Sequence, residues 1–244
     1  MSMARIMAGM DTIVTAEPMA AAEPLSLLRL LQLASPALPV GAFNFSQGLE
    51  YAVEQGWVRN GPQVAEWILG IAQHSVATLD VPMLLRMHAA WQAPDPVRAQ
   101  QLSRELVAAR ETQELRAEER HMGQALAKIL LEFGIPAARD WQRNTGASYA
   151  ALFALAASEA GATARDAAVA YLWTWAENQV LAAVKLIPLG QTDGQRALEA
   201  IRKRIPAMVA AADELTDEDI GSTTPLALMA SAWHETQYTR LFRS

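Results

Sequence analysis

Apolar side chains recur three and four positions apart along this chain, the period of an amphipathic helix, and no stretch alternates two by two as a half-buried strand does. Leu25 to Ala34 reads as a short apolar helix stopped by Ser35 and Pro36, followed by a loop that carries Pro39 and Gly41. A second helix is expected from about Phe45 to Gln55, ended by Gly56. Pro62 begins a third with Val64, Trp67, Ile68 and Ile71, and Asp80 with Pro82 opens a fourth through Met83, Leu84 and Met87. The longest element is expected between Pro96 and Phe133, where Leu102, Leu106 and Ala109 continue into Met122, Leu126, Ile129 and Leu130. At ~1.5 Å per residue it spans on the order of 50 Å. Its middle is charged, with Arg110 and Glu114 spaced to pair at i,i+4.

Further helices are expected at about Tyr149 to Ala160, Ala164 to Ile187, Gln195 to Arg204 and from Pro206 to about Leu215. A last one starts at Pro225 behind the capping oxygens of Ser222, Thr223 and Thr224. Leu226, Met229, Ala230 and Trp233 then face a core, leaving His234, Glu235, Gln237, Tyr238, Arg240 and Arg243 outside. The pattern predicts one all-α domain of about nine or ten helices over residues 25–244, preceded by a poorly ordered extension over 1–24.

Composition narrows what such a bundle does. The 244 residues can bury a substantial core, and a hydrophobic share of 52% with mean hydropathy +0.07 leaves apolar surface for a partner to cover. A net charge of −6 argues against nucleic acid, which needs a clustered basic face. The absence of cysteine removes disulfides, thiolate nucleophiles and Cys-based metal sites together. Asp11 and Glu17 interrupt the early Met- and Ala-rich stretch, so no signal peptide is read there, and no segment reaches the apolar length of a membrane span. A soluble, cytoplasmic protein is expected.

Catalytic patterns mostly fail. His234-Glu235 suggests the zinc helix motif HExxH, but Tyr238 stands where the second histidine belongs. Glu118 and His121 match one Glu-x-x-His element of a di-iron bundle, yet no second copy exists, so a charged solvent face is the reading there. Glycine-rich nucleotide loops and the GxSxG elbow are absent. No catalytic residue and no metal ligand is assigned.

Three groups remain. Lys185 interrupts the apolar VLAAVKLIPL on one helical face with Asn178 and Leu181, either snorkelling from a helix C-terminus or serving a partner. Ser46, Gln47, Gly48 and Glu50 are either capping polarity at a helix start or, beside Phe43 or Phe45, part of an interface. His234, Tyr238, Arg240 and Arg243 are either a solvated basic end or an ordered tail that docks on another protein; if the helix continues, His234, Tyr238 and Leu241 share a face. The docked tail is favoured because Leu241 and Phe242 would otherwise stand in water.

Four stretches in this order, SPALPVGAFNFSQGLE (35–50), ARETQELRAEER (109–120), VKLIPLGQ (184–191) and GSTTPLALMASAWHETQYTRLFRS (221–244), closely resemble the urease accessory F protein family. The resemblance runs from about Leu25 to the last residue. It departs at Trp233, where the family commonly has arginine, and at Asn44-Phe45, where a Ser-Tyr or Ser-Trp type pair is more usual. The resemblance implies an all-helical, dimer-forming, non-catalytic scaffold that bridges the accessory protein D (H in some organisms) and the accessory GTPase G. Their complex activates urease apoprotein by GTP-dependent nickel insertion. It implies partner contacts at Ser46, Gln47, Gly48, Glu50, Lys185, His234, Glu235, Tyr238, Arg240 and Arg243, with nickel and GTP handled by the complex and no cofactor held by this chain. Two alternatives remain: a regulator of the GTPase, with Lys185, Arg240 or Arg243 acting near its phosphates, and a metal-dependent hydrolase built on the His-Glu or Glu-x-x-His pairs.

Overall fold

The computed structural model describes residues 24–222 and 224–244, with Gln191 described by its backbone alone. Of the extension expected over residues 1–24, Pro24 instead begins the first helix; residues 1–23 and the capping role of Thr223 lie outside the described residues. Eleven α-helical segments follow one another, with no strand among the described residues: α1 (Pro24–Leu33), α2 (Leu49–Glu54), α3 (Gly61–Ile71), α4 (Val81–Gln92), α5 (Pro96–Ala108), α6 (Gln113–Glu132), α7 (Tyr149–Glu159), α8 (Ala164–Leu186), α9 (Gln191–Arg202), α10 (Ile205–Asp213) and α11 (Pro225–His234). The described residues form a single all-α domain.

Side-chain caps set many of the starts. Asn60, Asp95, Thr112, Ser148 and Thr163 each accept from a backbone amide three residues on. The hub is α7, where every residue from Tyr149 to Ala157 is buried. A helix apolar on all sides needs neighbours all round, and α4, α6, α8, α1 and α5 supply them.

Two expectations about continuity are reversed. Pro82 does not open a separate helix: α3 and α4 are joined by a π-helical turn, Ala72–Asp80, into one rod over 61–92. A proline inside a helix withholds the amide owed to the carbonyl four residues back. That carbonyl, on Thr78, instead accepts the Gly221 amide at 3.0 Å, which fixes the chain entering α11 to the rod. The fused rod is also long and apolar enough to cross a membrane, contrary to the expectation that no segment is. Its most apolar window has mean hydropathy 1.4 and is 67% buried inside the protein, as in a core helix.

Conversely, the long element expected over Pro96–Phe133 is two helices. Thr112 leaves the helical region (φ −102°, ψ 157°) and its hydroxyl accepts the Leu115 amide at 3.2 Å, restarting the helix as α6. The break frees Arg110 to turn inward, away from the expected pairing with Glu114. Smaller differences follow local chemistry: α2 begins at Leu49, because Phe45 is extended and Gln47 and Gly48 take positive φ, and α9 begins at Gln191, ahead of Gln195.

Candidate functional site: a clamped C-terminal tail

Beyond α11 the chain turns back and lies between the loop 44–50 and the first half of α6. The helix stops at His234, so His234, Tyr238 and Leu241 do not share a helical face. Glu50, buried in the first turn of α2, receives the tail. Its Oε1 accepts the Leu241 amide at 2.6 Å and its Oε2 accepts the Phe242 amide at 2.9 Å. The Arg243 amide donates to the Asn44 carbonyl at 2.7 Å, and the Ser46 and Gln47 amides donate to the Ser244 oxygen at 2.5 and 3.1 Å. The Ser46 hydroxyl donates to the same oxygen at 2.5 Å.

His234 is fully buried, where an outside position was expected. Its Nδ1 stands 2.7 Å from Glu114 Oε2 and its Nε2 3.1 Å from Glu50 Oε2. Each ring nitrogen thus has a carboxylate oxygen as its hydrogen-bond partner. Arg240 donates to the other oxygen of the same carboxylate, Glu114 Oε1, at 2.6 Å. Glu235 caps the next helix in space: its Oε1 accepts the Gln113 and Glu114 amides at 2.7 and 3.2 Å, placing an anion at the N-terminus of α6. The Thr112 and Ser231 hydroxyls, 3.0 Å apart, close the same junction.

This approach depends on small residues. Gly48 has φ +82°, and a Cβ built there would stand 2.6 Å from the Ser231 amide nitrogen. The inward face of α11 is therefore Ala230, Ser231 and His234, not the expected Leu226, Met229 and Trp233, which are 51%, 45% and 41% exposed. Trp233 joins a surface aromatic cluster, 5.4 Å from the Tyr51 ring and 6.2 Å from that of Trp57. Phe43 and Leu241 are exposed, Phe45 and Phe242 are buried, and Tyr238 is fully exposed.

Behind the clamp lies a charged core that the pattern of the sequence does not announce. Glu118, expected on a solvent face, and Glu119 are 8% and 7% exposed. Arg110 donates to Asp80 and, at 2.5 Å, to Glu119, while Glu119 Oε2 accepts the Tyr149 amide at 2.9 Å. The Tyr171 hydroxyl donates to Asp80 at 3.1 Å. Burial works against the Arg110 charge, but Asp80 and Glu119 outweigh it and hold its pKa well above the ordinary value. Burial, reinforced by Asp80 and Glu119, pushes the Tyr171 phenol up as well. Glu118 has no cation in contact. Its Oε1 accepts from Gln47 at 2.8 Å and its Oε2 from the Ser244 hydroxyl at 3.0 Å. Burial, with Glu119 adding to it, raises its pKa to about 7 against these two hydrogen bonds. A cavity of about 40 Å³ separates these groups, large enough for water.

The ten residues singled out by sequence thus fall in one place, apart from Tyr238 on the outer surface. Lys185, exposed at the end of α8, sets its ammonium 5.6 Å from the ring centres of both Phe43 and Phe242, a cation-π geometry. The Arg243 side chain borders an open cleft of about 430 Å³ with Phe45, His121 and Glu235. Arg240 is engaged by Glu114. Ser46 and Glu50 face the tail, inside the chain, so their part in any interface runs through the segment they hold. Sequence reasoning missed Asp80, Arg110, Glu114 and Glu119. The available signal was Thr112 as a helix start inside a charged run. Among the described residues no group of three or more His, Asp or Glu side chains is arranged to hold a metal ion.

Residues 58–202 match the family model described as UreF. The protein of Alkalilimnicola ehrlichii named urease accessory protein UreF is 49% identical over 216 residues, 88% of this chain and 95% of that protein. Proteins of the same name from Hahella chejuensis and Chromohalobacter salexigens are 43% and 41% identical, over 91% and 95% of this chain and 99% and 100% of theirs. The chain belongs to the UreF family of urease accessory proteins.

Proposed function

We propose that this protein is a non-catalytic scaffold for urease maturation, bridging the accessory protein D (or H) and the accessory GTPase G while their complex inserts nickel into urease apoprotein at the expense of GTP. Nickel is cargo of that complex and GTP a substrate of its GTPase; the chain holds neither on its own. It acts in the cytoplasm, as a homodimer within the complex.

The observation that carries this reading is the docked tail. Buried polar contacts order residues 234–244 against the body and the close approach at Gly48 sets α11, leaving an outer surface with Tyr238, Leu241, Leu226, Met229 and Trp233 in solvent. Ordering large aromatic and aliphatic side chains so that they face outward is unfavourable unless another surface covers them. Glu50 and Ser46 then fix the shape of that surface, and Lys185 and Arg243 place cations at its edge.

Light scattering of the purified chain alone and with each accessory protein tests this. Stable binary or ternary complexes are expected, weakened at least tenfold by Tyr238→Ala with the helical spectrum unchanged. A chain that stays solitary with all intact partners present overturns the proposal.

A further inference from the structure

Glu118 is the one buried carboxylate of the charged core without a cationic partner, and it touches the tail directly. Its neighbours come from the elements around the cavity: Gln47 before α2, Asp80 from the π-helical turn, Arg110 between α5 and α6, Glu119 within α6, Tyr149 of α7, Tyr171 and Trp175 of α8, and Ser244 of the tail. Arg110 is occupied by Asp80 and Glu119. The other charged groups along the tail, Glu50, His234, Glu114 and Arg240, pair among themselves, and Lys185 lies over the Phe242 ring.

We propose that Glu118 is a proton-operated latch for the C-terminal tail: the neutral acid holds residues 241–244 against the body, and ionisation loosens them. In the neutral form the Glu118 hydroxyl donates to the Ser244 hydroxyl oxygen and the Gln47 amide donates to the other Glu118 oxygen, so both contacts survive without burying charge. In the ionised form a second buried carboxylate stands beside Glu119 with no cation in contact, and burial outweighs the Gln47 and Ser244 hydrogen bonds that favour the charge; undocking the tail opens it to bulk water. The tail is the part able to move, since hydrogen bonds and the single buried Phe242 ring hold its end, whereas α6 is locked along its length between α5, α7 and Arg110. The latch works within the isolated chain and needs no partner.

The sign follows from linkage. A carboxyl whose docked pKa, about 7, lies above its ordinary 4.5 stabilises docking fully below 4.5 and loses that contribution as pH rises through 7. If undocking restores the ordinary value, the docking constant falls up to roughly fortyfold between pH 5 and 7 and little more beyond pH 8.

Amide hydrogen exchange of the full chain reads this at Leu241, Phe242 and Arg243, whose amides donate to Glu50 and Asn44. After correction for intrinsic rates, protection at these amides is expected to drop at least tenfold from pH 5 to 7. In Glu118→Gln, which keeps both hydrogen bonds without a charge, protection is expected to stay flat. Equal pH dependence in the two proteins overturns the latch. Should the variant not fold, a carbon-13 titration of glutamate carboxyls in the unaltered protein decides. A Glu118 midpoint near 7 coinciding with loss of tail protection supports the latch. A midpoint in the ordinary carboxylate range overturns it, and so does a midpoint near 7 with protection unchanged.

Discussion

The hub around α7 and the clamp around the tail are both buried, but they are built on opposite principles. From Tyr149 to Ala157 the hub presents only apolar and aromatic side chains, packed by shape. The clamp and the core behind it enclose Asp80, Glu50, Glu118, Glu119 and His234, each fixed by named partners. Shape packing tolerates similar volumes and loses stability by cavity formation. Polar packing is unforgiving of single changes but can be neutralised in sets. The hub makes the fold stable, whereas the clamp selects one position for a segment that could otherwise lie elsewhere.

Two substitutions of similar expected size separate these principles. Phe153→Ala in the hub is expected to lower unfolding free energy by ~3–5 kcal/mol through loss of buried surface and the cavity left behind. Arg110→Ala leaves Asp80 and Glu119 buried without a cation and is expected to lose ~3–5 kcal/mol as well. Urea unfolding then distinguishes them. Adding Asp80→Asn and Glu119→Gln to Arg110→Ala is expected to recover more than half of the loss, while no polar change elsewhere rescues Phe153→Ala. If the charged set recovers nothing, the contrast between the two regions fails.

A second probe changes pH instead of volume. The raised pKa of Glu118 means that its ionised form is less stable in the folded chain than in the unfolded one. Its contribution is complete below pH 4.5 and disappears as pH rises through about 7, a change bounded near 3 kcal/mol and limited further by tail release. Relative to Glu118→Gln, the unaltered protein is expected to become less stable from pH 5 to 7 in parallel denaturant titrations. Hub variants are expected to keep the same pH profile as the unaltered protein. A stability difference that is constant with pH contradicts the assignment.

The two regions also differ in how far the sequence discloses them. The expected bounds of α7 and α8 hold nearly to the residue, because local caps at Ser148 and Thr163 start both helices. Apolar spacing mis-set α11, whose phase is decided by the space beside Gly48 and not by which of its residues are most apolar. It likewise fused α5 with α6 and split the rod at Pro82. A distant amide at Gly221 lets the rod run through Pro82, and no local window contains it, whereas the break before α6 is set by the local cap at Thr112. The stretches 35–50, 109–120 and 221–244 are recognisable as motifs, but their pairing, Glu50 to His234 or Ser46 to Ser244, spans about two hundred residues and is legible only in three dimensions.

Gly48 tests the geometry that brings those stretches together. Alanine there takes a positive φ and drives its methyl into the Ser231 amide, so about 1–3 kcal/mol of destabilisation is expected, felt mainly as displacement of α11 and the tail. Exchange protection is expected to fall at the Leu241 and Phe242 amides while the α7 amides keep theirs. Uniform loss of protection across hub and tail would falsify the division into a stable body and a positioned segment.

The smallest effect expected is at the rim of the clamp. Arg240 reaches Glu114 Oε1 at 2.6 Å, but its side chain is 39% exposed, and water screens such a pair, so Arg240→Ala is expected to cost no more than about 1 kcal/mol. Glu114 keeps its hydrogen bond to His234 Nδ1 when the arginine is gone, which leaves no buried acceptor unsatisfied. Raising salt to 0.5 M is expected to shrink the difference further, since the Debye length falls to roughly 4 Å. His234→Ala at the other end of the same carboxylate removes a group with no exposure and opens a hole between Glu50 and Glu114, so its loss is expected to be several times larger and insensitive to salt. Comparable losses for the two variants would mean that the rim, and not the buried histidine, fixes the tail in place.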